Sequence, residues 1–311
     1  MKPNAIELLP KLVWHYNEPY ADSSALPSYY VAQMTRQEVK VALNGDGGDE
    51  CFGGYERFMA ARYAQIIKSI PFPFKGRIIN LVINRVPDSL ELKDFKTRLK
   101  RFLAVSQKPV RQRHYNWVAI FKDKEKEDLF SDDFGREIAG RSSFGYLDNA
   151  FGECGSKDIV DLVMSTDIKT NLLDDLLVKM DIATMANSIE GRSPFLDHKI
   201  MEFCAGMPSS MKIKGTKLKY IIKKALSGVL PKEILSRAKM GFGVPIDKWF
   251  RVELKDYAYQ ILMSDKCINR GYFKKESVKR ILDEHTAGKV NNGARIWSLL
   301  NLELWHSMFI D

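Results

Sequence analysis

The fold class is decided by one stretch, Val39-Lys40-Val41-Ala42-Leu43-Asn44-Gly45-Asp46-Gly47-Gly48-Asp49-Glu50. Its first part, Val39–Leu43, is short, contains β-branched residues and is closed by Asn44-Gly45, which predicts a strand. Three glycines within four positions then form a loop, and from Asp49 onward apolar residues recur with the 3.6-residue period of a helix. A strand that leads through a glycine-rich loop into a helix opens a βα unit, and such units belong in parallel sheets. We therefore predict an α/β fold.

The rest of the chain is predicted to be mostly helical. Parallel strands need neighbours in the same sheet, but the sequence offers no convincing one, because Arg77–Val86 fits a helix as well as a strand. We expect a small lobe that contains the strand, followed by a helical body, with an edge or a face of the strand left open. A second helix is predicted to be capped by Asp22, Ser23 or Ser24 and to run through Tyr29, Tyr30, Ala32 and Met34. Apolar periodicity predicts the other helices at Lys2–His15, Asp49–Ile70, Asp94–Val105, Lys157–Met180, Lys199–Ala205, Thr216–Leu226, Glu276–His285 and Ala294–Met308.

The composition is that of a globular protein in a reducing compartment. Hydrophobic residues make up 45% of the chain, which suits a large core, and no apolar run approaches the length of a membrane span. The N-terminus lacks the apolar stretch of a signal peptide, so we predict a cytoplasmic protein without a membrane partner. The four cysteines are widely spaced, which argues against a zinc site and a disulfide framework. A net charge of +9 favours anionic ligands in general.

The glycine loop carries carboxylates at Asp46, Asp49 and Glu50. Glycines let the backbone approach a ligand closely, and the N–H groups of the following helix are expected to face an anion. Carboxylates repel a phosphate unless a cation lies between them, and Mg²⁺ takes oxygen ligands from one or two carboxylates together with phosphate oxygens. The alternative is a helix N-terminus at which acidic residues merely favour the dipole. That alternative suits Asp49-Glu50 well and Asp46 less well.

A second motif is the lysine-rich segment Gly215–Leu226. Thr216 is predicted to cap a helix whose first turn contains Lys217 and Lys219, with Lys223 on the same face as Lys219. Cations at this end oppose the helix dipole, and a bound polyphosphate would account for their placement. A solvated lysine face is the alternative.

Three further segments leave their roles open. Pro194 forces an extended turn in Glu190–Asp197, where Glu190, Arg192 and Asp197 either form an ion-pair network or leave Arg192 to bind a substrate carboxylate. The segment Arg237–Pro245 has glycine hinges and basic residues, and it either closes over an anion or crosses the surface. The basic segment Lys93–Arg113 is predicted to be an amphipathic helix with a solvated face, and a nucleic-acid partner is the disfavoured interpretation.

Taken in order, these motifs resemble the asparagine synthetase family of the glutamine-hydrolysing type, whose synthetase domain belongs to the ATP pyrophosphatases. The resemblance starts at Pro19-Tyr20-Ala21-Asp22-Ser23-Ser24 and extends to Ile296-Trp297, which is nearly the whole chain. It implies one synthetase domain over residues 1–311, with a truncated Rossmann-like parallel sheet of the adenine-nucleotide-hydrolase type and a large helical region.

The resemblance also implies an amide-forming ligase that uses ATP and Mg²⁺. ATP would adenylate the side-chain carboxylate of aspartate and release pyrophosphate, and ammonia would then attack the acyl-adenylate to give asparagine and AMP. Asp49 matches the magnesium-binding aspartate of the family, Asp46 stands where an acidic residue lies near the reacting intermediate, and Lys219 matches the lysine that stabilises polyphosphate charge. The implied nucleotide- and substrate-binding positions are Asn44, Gly45, Gly47, Gly48, Arg192 and Lys223, the last in place of a common arginine.

Two parts of the family pattern are not found. The SGGxDS pyrophosphate loop is absent, and Met1 is followed by Lys2 rather than by the cysteine nucleophile of a glutaminase domain. We therefore expect a domain without its first strands, ammonia supplied by a separate or missing glutaminase domain, no ATP binding by the chain alone, and self-association into homo-oligomers through the open sheet edge. The alternatives are a ligase for another carboxylate, such as a sugar acid, and a non-catalytic binding chain.

Overall fold

The structure is a computed structural model that describes residues 5–69, 95–237, 241 and 243–311. It is mostly helical. The two strands are β1 (Val41–Leu43) and β2 (Glu190–Arg192). The α-helices of the described residues are α1 (Ala5–Tyr16), α2 (Ala25–Thr35), α3 (Gly48–Phe52), α4 (Glu56–Ser69), α5 (Phe95–Ser106), α6 (Val110–Val118), α7 (Asp123–Leu129), α8 (Asp132–Glu137), α9 (Ser143–Gly152), α10 (Ile159–Asp167), α11 (Val178–Met185), α12 (His198–Gly206), α13 (Ser209–Lys212), α14 (Tyr220–Ala225), α15 (Lys232–Ser236), α16 (Ile246–Trp249), α17 (Lys255–Leu262), α18 (Asp265–Asn269), α19 (Lys275–Thr286) and α20 (Gly293–Phe309).

The sheet is a parallel pair in which Val41 lies opposite Glu190 and Leu43 lies opposite Arg192. This confirms the predicted α/β class with a small parallel sheet, whereas the wider Rossmann-like order stays a prediction. The sequence did not reveal β2, because Glu190-Gly191-Arg192 is only three residues long and polar. The expected open face is present. Val41 and Leu43 share one side of β1 and are 42% and 75% exposed, and Val39, two residues before the strand, is 44% exposed.

The predicted helix Lys157–Met180 is part of a longer continuous rod. It begins as α10, continues as a π-helical segment at Ile168–Leu177, and ends as α11. π-Helical turns are rare and widen the backbone spiral. In this rod the widened segment is followed by Lys179, whose side chain is buried against the loop before α2.

Two sequence predictions about helix boundaries were wrong. The segment Asp49–Ile70 is two helices, because the chain turns at Gly53, which adopts a φ of +69°. Ile70 itself lies outside the described residues. The lysine-rich helix begins at Tyr220 rather than after Thr216, because Lys214 and Lys217 pair with each other across a tight turn.

Three apolar clusters hold the described elements together. The largest joins α1 and α2 to the C-terminal helices and buries Trp297, Phe250 and Leu26 almost completely. A second joins α4, α6, α9 and α10 around Phe58 and Phe151. The third is small, consists of Cys51, Phe52 and Cys204, and carries the glycine loop. Among the described residues, no helix combines the length and the apolar character needed to cross a membrane.

Candidate active site

The glycine loop after β1 rests on the short 3₁₀ turn Pro194–Leu196. A Cβ added at Gly47 would come within 2.3 Å of Leu196 Cδ2, and one added at Gly48 would lie 3.1 Å from the Phe195 ring. Gly47 also has a φ of +82°, a conformation that side chains disfavour. A Cβ at Gly45, in contrast, meets nothing within 4 Å. Gly47 and Gly48 therefore seat the loop, and Gly45 is the glycine of the three that faces open space.

Asn44 ties this loop to the end of β2. Its backbone N–H donates to the carbonyl of Arg192 at 2.8 Å. Its side-chain Oδ1 accepts from the hydroxyl of Ser193 and from the backbone N–H of Asp46 at 3.2 Å. These contacts hold the first carboxylate of the loop in a fixed position relative to both strands.

Asp46 is half-buried, and its Oδ2 atom is buried without a hydrogen-bond partner. Burial raises the pKa of this carboxyl above its usual range, the nearby Lys179 ammonium opposes that rise, and Glu50 adds to it. A carboxyl with a raised pKa and an unpartnered oxygen is suited to exchange a proton with a bound molecule.

Asp49 points to a different partner, because its Oδ1 lies 2.9 Å from the Nζ atom of Lys219. The two residues predicted to bind a metal and a polyphosphate are thus brought together as an ion pair. Lys219 immediately precedes α14 and has a φ of +52°, which is uncommon for a residue other than glycine. The prediction that Lys219 lies inside a helical first turn was wrong. Helices α3 and α14 contain only five and six residues, so the helix dipole contributes little on either side.

Lys223 lies close in the chain to the Asp49–Lys219 ion pair, whereas Arg192 pairs with a different carboxylate. Lys223 lies one turn into α14, and its N–H donates to the carbonyl of Lys219 at 3.0 Å. Arg192 pairs instead with Glu190 at 2.7 Å on the open side of the sheet. Asp197 accepts from the N–H of Lys199 and caps α12. Of the predicted three-residue network, the Glu190–Arg192 pair is therefore present, and Asp197 has a separate role.

Sequence reasoning missed a buried polar cluster behind the loop. Lys179 Nζ binds Asp22 Oδ2 at 2.7 Å, and Tyr16 donates its hydroxyl to the Lys179 carbonyl at 3.1 Å. Tyr20 donates to the carboxylate of Asp175 and stacks on Tyr16 with ring centroids 4.3 Å apart. Asp175 and Lys179 are two of several charged residues in this helix, so their charge alone did not indicate that they lie in a buried cluster.

The charges of this buried cluster shift the pKa values of its members. Burial raises the pKa of Tyr20, and Asp175 adds to the rise. Burial also raises the pKa of Asp175. For Asp22, burial acts in the same direction, but Lys179 and the hydrogen bonds from Lys179 and Ser24 outweigh it and hold the pKa of Asp22 below its usual range.

Glu50 faces the interior, which separates its role from that of Asp49. It is 1% exposed and accepts the Tyr55 hydroxyl at 2.5 Å. Arg57 lies over the Tyr55 ring at 4.0 Å and binds the fully buried Asp167 at 2.6 Å. Of the two acidic residues at the start of α3, Glu50 thus points into the interior and binds Tyr55, and Asp49 points toward Lys219.

The remaining sequence candidates are peripheral to the loop. In the basic segment, Arg113 is fully buried and Arg111 pairs with Asp148 at 2.9 Å, so part of its charge is used within the fold. Lys93 and most of the loop residues 238–242 lie outside the described residues. Cys51 and Cys204 are buried, and burial raises the pKa of the Cys51 thiol to about 12. Among the described residues, no group of three or more His, Cys, Asp or Glu side chains is arranged to hold a metal ion.

Comparison with known proteins gives one consistent family. The family model described as Asparagine synthase matches residues 2–307. Asparagine synthetase [glutamine-hydrolyzing] 1 of Bacillus subtilis is 32% identical over 97% of this chain and 46% of that protein. A putative asparagine synthetase of Mycobacterium tuberculosis is 32% identical over 98% of this chain and 45% of that protein. A Penicillium rubens protein named Amidase chyE is 23% identical over 76% of this chain and 37% of that protein. The chain therefore spans about half the length of the first two relatives.

Proposed function

The chain belongs to the asparagine synthase family, and from this premise we propose that it is the synthetase part of an ATP-dependent, amide-forming ligase. The reaction we propose joins ammonia to the side-chain carboxylate of aspartate and yields asparagine, AMP and pyrophosphate. One observation carries the proposal. The loop after β1 presents Asp46 with an unpartnered oxygen and, three residues on, Asp49 against the ammonium of Lys219.

The chemistry proceeds in two steps. The aspartate carboxylate attacks the α-phosphorus of ATP, pyrophosphate leaves, and an acyl-adenylate forms. Ammonia then attacks the acyl carbon, the C–O bond to AMP breaks, and the nitrogen loses a proton. Lys219 is proposed to stabilise charge that builds up on the leaving polyphosphate, because a fixed cation near developing negative charge lowers the barrier. Asp46 is proposed to accept the proton, which its raised pKa supports.

The carboxylates of the loop fit Mg²⁺ as it is held in nucleotide sites. Mg²⁺ is bound there by one or two carboxylates together with substrate phosphate oxygens and water, rather than by a cage made entirely of protein ligands. The presence of Asp49 at the loop suits that mode. When bound, the ion would neutralise phosphate charge between Asp49 and the nucleotide. Asn44 and Gly45 would lie along the path by which the nucleotide reaches the loop. Gly47, Gly48 and Lys223 would complete the nucleotide-binding surface.

The decisive test uses the protein expressed from its complete coding sequence. Incubation with ATP, Mg²⁺, aspartate and ammonium should produce AMP, pyrophosphate and asparagine in equal amounts. Lys219→Ala should lower the rate of AMP formation by about 10²-fold to 10³-fold, whereas the matched variant Lys217→Ala, at an exposed lysine two residues away, should retain it. Replacing ammonium by glutamine tests whether a glutaminase supplies the nitrogen.

Other outcomes identify the alternatives. Formation of AMP with a different carboxylate, but not with aspartate, would assign another acceptor. The absence of AMP with every carboxylate offered would indicate a non-catalytic binding chain.

A further inference from the structure

The two side chains expected to bind opposite charges of a ligand are bound to each other. Asp49 Oδ1 lies 2.9 Å from Lys219 Nζ, and the side chains are 22% and 33% exposed. The pair is thus accessible to small solutes but partly shielded from water, where charge interactions are stronger than at an open surface.

The backbone on both sides is shaped to allow this contact. Lys219 adopts a φ of +52°, in the left-handed region that side chains avoid. A Cβ added at Gly54 would come within 1.7 Å of Asp49 Oδ1 and 2.5 Å of Lys219 Cε. The absence of a side chain at position 54 therefore leaves the space that the ion pair occupies. The N–H of Gly54 also donates to the carbonyl of Asp49 at 2.8 Å, which fixes its distance from that residue.

We propose that the Asp49–Lys219 ion pair is a latch that couples metal binding to polyphosphate binding. This inference rests on the proposed function, which assigns the metal to Asp49 and the polyphosphate to Lys219. A divalent cation alone must displace the Lys219 ammonium and then meets its positive charge at close range. A polyphosphate alone meets the Asp49 carboxylate in the same way. A magnesium polyphosphate supplies both replacement partners at once, so each component strengthens the binding of the other.

The latch has a specific consequence for Gly54. Gly54→Ala should push the two side chains apart without adding or removing a charge. The matched control is Gly135→Ala in α8, where an added Cβ meets nothing within 4 Å. The coupling should weaken in Gly54→Ala and remain unchanged in Gly135→Ala.

The test uses the protein expressed from its complete coding sequence. It measures by mass spectrometry how fast Lys219 is acylated by a trace of acetic anhydride, relative to the exposed Lys217. Without ligand, Asp49→Asn and Gly54→Ala should each raise the relative rate several-fold, because the ammonium is released from its partner. The ligand probes are inorganic pyrophosphate and Mg²⁺. In the wild type, saturating Mg²⁺ should lower the pyrophosphate concentration that half-protects Lys219 by at least about tenfold, which corresponds to a coupling free energy of about 1.4 kcal/mol.

The variant Asp49→Asn separates the possibilities. Without Mg²⁺, pyrophosphate should protect Lys219 at a lower concentration in this variant than in the wild type, and the effect of Mg²⁺ should disappear. Equal labelling of Lys219 in the unliganded wild type, Asp49→Asn and Gly54→Ala would overturn the latch. Protection in the wild type that does not depend on Mg²⁺ would overturn the latch while leaving the polyphosphate role of Lys219 in place. Failure of pyrophosphate to protect Lys219 under any condition would overturn that role, and the latch with it.

Discussion

Two lysine–aspartate pairs flank the glycine loop, and they differ in how far the lysine is removed from water, whereas the aspartates are similarly exposed, at 25% for Asp22 and 22% for Asp49. Behind the loop, Lys179 binds Asp22 with only 9% of the lysine side chain exposed, among Tyr16, Tyr20 and Asp175. In front of it, Lys219 binds Asp49 with 33% of the lysine side chain exposed. The buried pair has several additional partners and is expected to hold elements in place. In the function proposed above, a ligand replaces either member of the open pair, so the same chemical contact would serve structure in one case and exchange in the other.

The largest expected effect concerns the open pair. In the proposed enzyme, Lys219→Ala should lower turnover by about 10²-fold to 10³-fold, the range found when a single group that stabilises transition-state charge is removed. Its stability should change by about 1 kcal/mol, the upper end of the range for pairs that keep contact with water. Steady-state AMP formation and urea unfolding measure the two quantities. A loss of stability that parallels the loss of turnover would assign Lys219 a structural role and remove the contrast with Lys179.

The buried pair should respond in the opposite way. Lys179→Met keeps the length of the side chain but leaves Asp22 without its cation, and we expect a loss of about 2–3 kcal/mol, because a buried charge without its partner is costly. Urea denaturation monitored by circular dichroism gives the value. The double variant Lys179→Met/Asp22→Asn should recover part of the loss. If Lys179→Met is as stable as Lys219→Ala, burial does not distinguish the two pairs.

Replacing the Asp46 carboxylate should have a smaller effect on stability, and it should stabilise the protein rather than destabilise it. Its pKa in the folded protein is raised by burial, so ionisation is less favourable in the folded state than in the unfolded chain. The carboxylate therefore destabilises the fold above the unfolded-state pKa of about 4, and this cost disappears as the pH falls below that value. Asp46→Asn should increase stability at pH 7, because it removes the charge that burial makes costly while keeping the size of the side chain.

The check for Asp46 is a pair of unfolding curves. The wild type and Asp46→Asn should differ at pH 7 and converge toward pH 4, while AMP formation by the variant falls at both values. A difference that grows toward acidic pH would show that the sign of the pKa shift is wrong.

The smallest effect is expected at the Glu190–Arg192 pair on the open face of the sheet. Both side chains are more than half exposed, at 58% and 62%. Solvent screening limits such a pair, so Arg192→Gln should change stability by less than about 0.5 kcal/mol. If the same variant raises the KM for the carboxylate substrate at least tenfold, Arg192 binds substrate. An unchanged KM leaves it the role of fixing the turn after β2.

The sequence predicted the parts of this structure that depend on local patterns. The strand before Asn44, the helices near Glu276–His285 and Ala294–Met308, and the open apolar face all follow from periodicity and turn residues. The parts it did not predict depend on contacts between distant segments. The partner strand Glu190–Arg192 has no strand-like composition and forms only because it lies beside β1.

The candidate site was predicted as a set of residues but not as an arrangement. The glycines, carboxylates and lysines were identified from chemistry and resemblance. The contact between Asp49 and Lys219, which are 170 positions apart in the chain, has no local signal. The start of α14 was misplaced for a related reason, since the left-handed conformation of Lys219 is imposed by its tertiary setting rather than by its own preference.

The open side of β1 has a consequence for handling the protein. The side chains of Val39, Val41 and Leu43, in β1 and just before it, leave apolar surface in contact with water. Hydrophobic association of such surfaces weakens on cooling, and it strengthens with salts that are excluded from the protein surface, such as sulfate. Light scattering should therefore find a smaller mean particle size at 5 °C than at 30 °C. Ammonium sulfate should precipitate the wild type at a lower concentration than the variant Leu43→Lys.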